Sequence, residues 1–266
     1  RMPSGGGLVV TFDFAGQTVL VTGAAHGFGR TIAGAFAMRG ADVFVCDVVS
    51  HEVEETLGLL GDRGHGKIVD VTDHTAVGRW VGEALGQTGR IDVLVNNAGG
   101  TGPRPALETS EGFFERALRM NVTQAFLLTR LVVPRMIETA GGGSIVNISS
   151  RSSDMVQTAF VAYGAGKAAL NMMTRNMAAE FAPKVRINAI SVGGIATEAL
   201  DVVLTDDDLR RQFDAHTPMK RPGEVEDIAA CALYLASPAA GWVTGKIFQV
   251  DGGVECPAIS VPTPPL

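Results

Sequence analysis

Cysteine is scarce: Cys46, Cys231 and Cys256 are the only three in 266 residues. Their odd number and wide spacing argue against a disulfide framework and against a metal cluster. The expectation is reduced thiols in a cytoplasmic protein with no metal site. Positive charge is also in short supply, with 22 Lys and Arg against 28 Asp and Glu and a net charge of −6. No basic patch marks nucleic acid or an anionic membrane surface as a partner. No apolar run reaches the ~20 residues of a membrane-spanning helix. No charged-then-apolar signal opens the chain, so no leader is expected. Tyrosine occurs twice and lysine five times, so a chance Tyr-x-x-x-Lys is a roughly one-in-25 event.

What the chain has is glycine, 33 residues of it, and 46% hydrophobic residues. Short apolar runs alternate with helical patterns. Strands are expected over 18–22, 42–46, 67–69, 91–95, 144–149, 185–190 and 246–250, and helices over 28–39, 74–88, 110–138, 160–181 and 224–236. Continuous short apolar strands alternating with helices imply a parallel sheet covered on both faces, a doubly wound α/β fold of about seven strands in one Rossmann-type domain. That domain is expected over 11–255, after a disordered segment 1–10 and before a Pro-rich tail 256–266.

Tyr163 and Lys167 fall inside the 160–181 helix, where positions four apart share a face. A phenol with a pKa of about 10 is a poor acid or base at neutral pH, and a neighbouring cation favours its phenolate. The first strand runs into Thr22-Gly23-Ala24-Ala25-His26-Gly27-Phe28-Gly29. Glycines at a strand-to-helix turn let backbone approach a pyrophosphate, whose charge the next helix N-terminus holds. The spacing is G-x-x-x-G-x-G, and such a pattern arises by chance roughly once in two chains this rich in glycine. The strand before it, the helix after it and the acid that follows distinguish it.

That acid is Asp47, at the end of the second strand. A carboxylate there accepts from an adenosine ribose and repels a 2′-phosphate, favouring NAD over NADP. His26, if charged, would soften that preference. Asp70 and Val71 end the third strand, where Asp70 can bond an adenine amine and Val71 pack on the ring, or Asp70 can simply close a strand. Asn97, Ala98 and Gly99 sit where a doubly wound sheet reverses direction, and ligands bind there. Ser150 closes the fifth strand, where a hydroxyl can donate to a developing oxyanion. Ser149, Ser152 and Ser153 compete for that role. No Gly-x-Ser-x-Gly elbow is present, which disfavours a hydrolase.

In order and spacing these residues resemble the short-chain dehydrogenase/reductase family, from about residue 12 to 253. The resemblance rests on Thr22 to Gly29, Asn96-Asn97-Ala98-Gly99, Asn121 in Met-Asn-Val, Ser150, Tyr163-x-x-x-Lys167, Arg186-Ile187-Asn188 and Asp251-Gly252-Gly253. Ser150 lies thirteen residues before Tyr163, the family's usual spacing. The resemblance implies that Asn121, Ser150, Tyr163 and Lys167 form the catalytic set. It further implies that Asn121 supports a proton-relaying water and that Lys167 grips the nicotinamide ribose. It adds Ile195 and Thr197 as cofactor contacts. The family commonly has Pro-Gly-x-x-x-Thr there; this chain has Val192-Gly193-Gly194-Ile195-Ala196-Thr197, and the missing proline is expected to loosen the loop. Within the family the chain is most similar to bacterial 7α-hydroxysteroid dehydrogenases, in residues 96–105, 174–180 and 216–223.

The expected function is transfer of a hydride between NAD and a secondary alcohol or ketone. The alternatives are an NADPH-linked 3-oxoacyl thioester reductase and a non-catalytic NAD-binding protein. The substrate is expected under a mobile cover over 198–216, with Asp206, Asp207 and Asp208 as a solvated helix start. The resemblance implies a homo-oligomer, a dimer or homotetramer, packed through the helices that carry Asn121 and Tyr163.

Overall fold

The computed structural model describes residues 12–197, 205–258 and 263. In chain order its main elements are β1 (Thr18–Thr22), α1 (Gly27–Ala37), β2 (Asp42–Asp47), α2 (Ser50–Leu60), β3 (Gly64–Ile68), α3 (His74–Thr88), β4 (Val93–Asn96) and α4 (Glu111–Leu118). A π-helical turn (Arg119–Thr123) leads into α5 (Gln124–Ala140), then β5 (Gly143–Ser150), α6 (Val161–Phe181), β6 (Val185–Val192), α7 (Asp207–His216), α8 (Val225–Ala236) and β7 (Ile247–Val250). The seven strands form one sheet in the order β3-β2-β1-β4-β5-β6-β7, every pair parallel.

The apolar runs read as they do because the sheet is covered twice. Alternate residues of one strand enter opposite layers. Val19, Val21, Val93, Val95, Val146 and Ile148 pack with α1, α2 and α8; Leu20, Leu94 and Ile145 pack with α3, α5 and α6. The chain winds outward from β1 through β2 to β3, then returns to place β4 on the other side of β1. Adjacent carboxyl ends of β1 and β4 therefore mark the switch point, which opens a crevice for a ligand.

Several boundaries differ from the sequence reading. Helix α2 has no counterpart in it; Val53, Thr56 and Leu60 supply its narrow buried stripe. Strand β3 lies earlier than expected, over glycine, histidine and lysine at a half-exposed sheet edge, where hydrophobicity gives no signal. The long helix expected over 110–138 is divided by the π-turn. There Asn121 Nδ2 donates to the Ala117 carbonyl at 2.9 Å, a side-chain bond that competes with the helical ladder. Where the expected proline is missing, main-chain bonds hold the start of the loop. Val192 extends β6 between Ser150 and Val250, and the Gly193 and Ala196 amides donate to the Val250 and Gly223 carbonyls at 3.0 and 2.9 Å. Of the expected cover, residues 198–204 lie outside the described residues, as do 1–11 and most of the tail. In the remainder of the cover, Asp206 caps α7, Oδ1 accepting from the Asp208 and Leu209 amides at 2.9 and 3.0 Å.

Candidate functional site

The turns after β1 and β4 are built against each other. Asn97 Nδ2 donates to the carbonyls of Thr22 and Gly23 at 3.0 and 2.7 Å. Thr22 Oγ1 accepts in return from the Asn97 and Ala98 amides at 3.1 and 3.0 Å. Gly23 has φ +65°, and a Cβ there would lie 2.8 Å from Ala98 Cα. A Cβ on Gly29 would run into the Gly23 carbonyl and lie 2.6 Å from Asn97 Nδ2. Both positions thus require glycine for the turn to close. Helix α1 starts at Gly27 with no side-chain cap from His26 and no acid in its first turn. Its first amides and the positive end of its dipole are left for a ligand.

These amides border a groove of about 570 Å³ lined by Gly23, Gly27, Phe28, Asp47, Asp70, Val71, Asn97, Ala98, Gly99, Tyr163 and Thr197. Asp47 stands at its far end. Its Oδ1 accepts from the Val48 and Val49 amides at 2.7 and 3.4 Å, and its Oδ2 from the Ala25 amide at 3.0 Å, so Oδ2 keeps a lone pair for another donor. His26 Nδ1 meets Glu52 Oε2 at 2.7 Å, so the charge it could bring comes with a carboxylate beside it. Asp70 closes its own turn, Oδ1 accepting from the Thr72 amide and hydroxyl at 2.8 Å each, yet still lines the groove. A glycine cradle, uncapped helix amides and an acid at the far end fit a dinucleotide.

At the other end lies a smaller cavity of about 240 Å³, which shares Phe28, Asn97, Gly99, Tyr163 and Thr197 with the groove and adds Ser150, Lys167 and Ile195. Strand β5 delivers Ser150, and the first two turns of α6 deliver Tyr163 and Lys167. Ser150 stands beside Tyr163 and favours its phenolate. The competing serines are engaged elsewhere or hidden. Ser152 Oγ donates to Gln157 at 2.6 Å, Ser153 Oγ accepts from Asn171 at 2.8 Å, and Ser149 Oγ is buried with no partner. Asn121 lines neither space. Its Oδ1 accepts from the Gly100 amide at 2.9 Å, and a Cβ on Gly99 would lie 3.1 Å from both Asn121 Oδ1 and Lys167 Nζ.

Lys167 is buried and gives one of its three N–H groups to the Ile148 carbonyl at 2.8 Å, with Nζ 5.8 Å from the Tyr163 ring centroid. The expected lowering of the Tyr163 pKa is not found in the protein alone. Burial disfavours the phenolate and pushes the pKa up, and Ser150 only partly opposes it. Burial also pulls the Lys167 pKa down from 10.5 to about 8. Between those values the unfolded chain binds a proton that the folded chain lacks, so stability from this group rises with pH. The cost of burying the ammonium is complete below pH 8. Relative to Lys167→Met, the wild type should gain about 3 kcal/mol as pH passes from below 8 to above 10.5. Urea melts of both proteins across that range check it; a difference that stays constant with pH would contradict it.

Sequence reasoning passed over Thr22, whose hydroxyl fixes the Asn97 turn, and Gln124, whose Nε2 donates to the Ala98 carbonyl at 2.9 Å. Met120, Val48 and Val69 also line the groove unannounced. The available signal for Thr22 was its place, a hydroxyl that follows Val19-Leu20-Val21 at the carboxyl end of β1. Among the described residues no cluster of His, Cys, Asp or Glu is placed to hold a metal ion, and no helix is long and apolar enough to cross a membrane.

Comparison with known proteins agrees with this geometry. A family model described as enoyl-(acyl carrier protein) reductase matches residues 23–255. An uncharacterized oxidoreductase of Mycobacterium tuberculosis is 42% identical over 96% of this chain and 98% of its own length. The 7α-hydroxysteroid dehydrogenase of Escherichia coli is 39% identical over 90% of this chain and 94% of its own. A solved structure of a 7α-hydroxysteroid dehydrogenase, complexed with NADH and 7-oxo glycochenodeoxycholic acid, superposes with a TM-score of 0.84 at 37% identity, covering 91% of this chain and 96% of that one. The likeness to 7α-hydroxysteroid dehydrogenases expected from the motifs is therefore found over nearly the whole fold. With this sheet, this groove and these relatives, the chain belongs to the short-chain dehydrogenase/reductase family of NAD(P)-dependent oxidoreductases.

Proposed function

We propose that the protein oxidises a secondary alcohol to a ketone, or the reverse, with NAD, and that hydroxysteroids are the first class to test. The observation that carries this is the meeting of Ser150, Tyr163 and Lys167 in one small cavity continuous with the dinucleotide groove. In oxidation Tyr163 takes the hydroxyl proton, and Ser150 donates a hydrogen bond to the same oxygen. Lys167 has two N–H groups left after Ile148, enough to hold a ribose and to favour the phenolate. The cofactor, when bound, accepts or returns the hydride. Asn121 keeps the π-turn and Gly99 in place beside Lys167 and supports the proton path there. Asp70, Val71, Ile195 and Thr197 take the cofactor contacts expected of them. The exposed Phe126 and Ile137 on α5 and Val161 and Met172 on α6 support a dimer or tetramer built on those helices, and the assignment to the cytoplasm follows the free thiols.

Asp47 decides between NAD and the NADPH-linked alternative. With Glu52 beside His26, the ribose end of the groove is acidic, which disfavours a 2′-phosphate. NAD should bind more tightly than NADP, and Asp47→Ala should narrow the gap. Titration of both cofactors into both proteins checks this, and equal or tighter NADP binding by the wild type would overturn it. Turnover in a screen of secondary alcohols, hydroxysteroids included, separates an enzyme from a binding protein. Binding of NAD with no turnover of any of them would favour the non-catalytic reading.

A further inference from the structure

Arg151 directly follows Ser150, and the reading above gives its charge no work. The residue is 5% exposed, and a cation so deeply buried persists only with partners. Its Nε forms an ion pair with Asp251 Oδ2 at 2.9 Å, although the N–H is not aligned for a hydrogen bond. Its Nη1 donates to Asp154 Oδ2 at 2.7 Å, and its Nη2 donates to the Val254 carbonyl at 3.1 Å. Its own carbonyl accepts from the Asp154 and Met155 amides at 3.2 and 2.8 Å. The short turn that begins at Ser150 is therefore closed by Arg151 main chain and anchored by Arg151 side chain. Asp154 is held from the other side by Gln249 Nε2 at 3.1 Å, and Asp251 Oδ1 accepts from the Gly253 amide at 2.9 Å.

Asp251 abuts Gly193, which lines the smaller cavity next to the strand pairing of Ser150 with Val192. A Cβ on Gly193 would lie 2.6 Å from Asp251 Cα, and the Gly193 amide donates to the Val250 carbonyl at 3.0 Å. The segment that runs from Gly193 to Thr197 thus rests on the residue that Arg151 grips, while Ser150 stands beside Arg151 itself.

We propose that Arg151 is a positioning residue for Ser150: its ion pair with Asp251 sets the Ser150 hydroxyl relative to the Gly193 to Thr197 segment that follows the paired strand. The inference rests on the reading of Ser150 as donor to the substrate oxygen. A hydroxyl misplaced by about 1 Å can cost about 10²-fold in rate, so the pair has a kinetic consequence without touching substrate.

The test is a double-mutant cycle with an alcohol that the wild type oxidises, reading kcat and NAD affinity. Arg151→Met should lower kcat by about 10- to 100-fold with a much smaller loss of NAD affinity, confined to the Ile195 and Thr197 contacts, because the glycine turn and Asp47 lie elsewhere. Ser150→Ala alone should cost about 10²-fold or more. The double variant should be no slower than Ser150→Ala, and Arg151→Lys should recover part of the rate. Losses that multiply in the double variant, or a matching fall in NAD affinity, would overturn the proposal and leave Arg151 a structural ion pair. If Ser150→Ala keeps wild-type turnover, the reading of Ser150 itself fails, and the proposal with it. If Ser150→Ala is slow while Arg151→Met is not, only the role of Arg151 fails. Should Arg151→Met not fold, Asp251→Asn keeps the shape, weakens the same pair, and enters the same cycle.

Discussion

Tyr163→Phe should bind NAD as the wild type does and lose about 10²–10⁴-fold in kcat, the usual contribution of one positioned acid/base. The ring remains, and with it the edge contact to Phe160 at 6.0 Å between centroids. The variant loses one half-buried hydroxyl that faces the cavity, a net cost of about 1 kcal/mol of stability or less. Ser150 Oγ still accepts from the Ser152 amide at 3.2 Å, so the second hydroxyl of the pair keeps an anchor. Binding and chemistry should therefore separate cleanly: NAD affinity and thermal midpoint near wild type, turnover nearly gone. Retention of a tenth or more of kcat would mean that another group moves the proton. Lys167 is then the alternative to examine, since its pKa of about 8 puts it in the working range, and a surviving rate with a limb near that pH would identify it.

How far the sequence foretold this arrangement depended on what each feature rests on. Strand β1 is buried at every position and announces itself by Val19-Leu20-Val21, whereas β5, buried except at its ends, does so only through Ile145, Val146 and Ile148. The glycine turn was legible because close approach of backbone permits only one residue type there. The choice of Ser150 over its neighbours came from spacing and family likeness; the physical reason, that Ser152 and Ser153 spend their hydroxyls on Gln157 and Asn171, is tertiary. Strand β3 was misplaced because Gly64, His65 and Gly66 at an open edge have no hydrophobic signature. The π-turn at Asn121 escaped because helical periodicity is nearly the same on both sides of it. Arg151 escaped for a different reason: an arginine after a strand reads as solvated until its partners, about a hundred residues away in the chain, are seen folded against it.

The sign of the Tyr163 perturbation was the clearest failure. Adjacency of a cation on a helix face was expected to decide it, but the same packing that brings Lys167 near removes water from both groups. Each charge is disfavoured singly, so the phenol rises and the ammonium falls. A phenolate and an ammonium together are another matter, because they attract. At an effective dielectric of about 20 and the 5.8 Å between Nζ and ring centroid, that attraction is about 3 kcal/mol, equivalent to about two pH units. That attraction, which neither group feels while the other is neutral, is what would favour the phenolate beside Lys167.

Lys167→Met removes the attraction while keeping most of the side-chain volume. In oxidation, where the phenolate is the active form, the rising limb of kcat against pH should move upward in this variant by about one to two pH units. The wild-type limb should lie below the free-phenol value of about 10, because the proton is drawn from a pair stabilised by Lys167. A bound nicotinamide brings a further positive charge, so the limb seen in kcat should lie lower than any Tyr163 titration measured without cofactor. NAD binding should weaken in the same variant, since the two N–H groups that Ile148 does not use are lost. The decisive measurement is the pair of pH–rate profiles, each taken at saturating NAD with an accepted alcohol and a variant shown to be folded. If the limb stays where it was while NAD affinity falls, Lys167 holds cofactor but does not tune Tyr163. Ser150 and the bound cofactor would then be what is left to offset the burial of the phenolate.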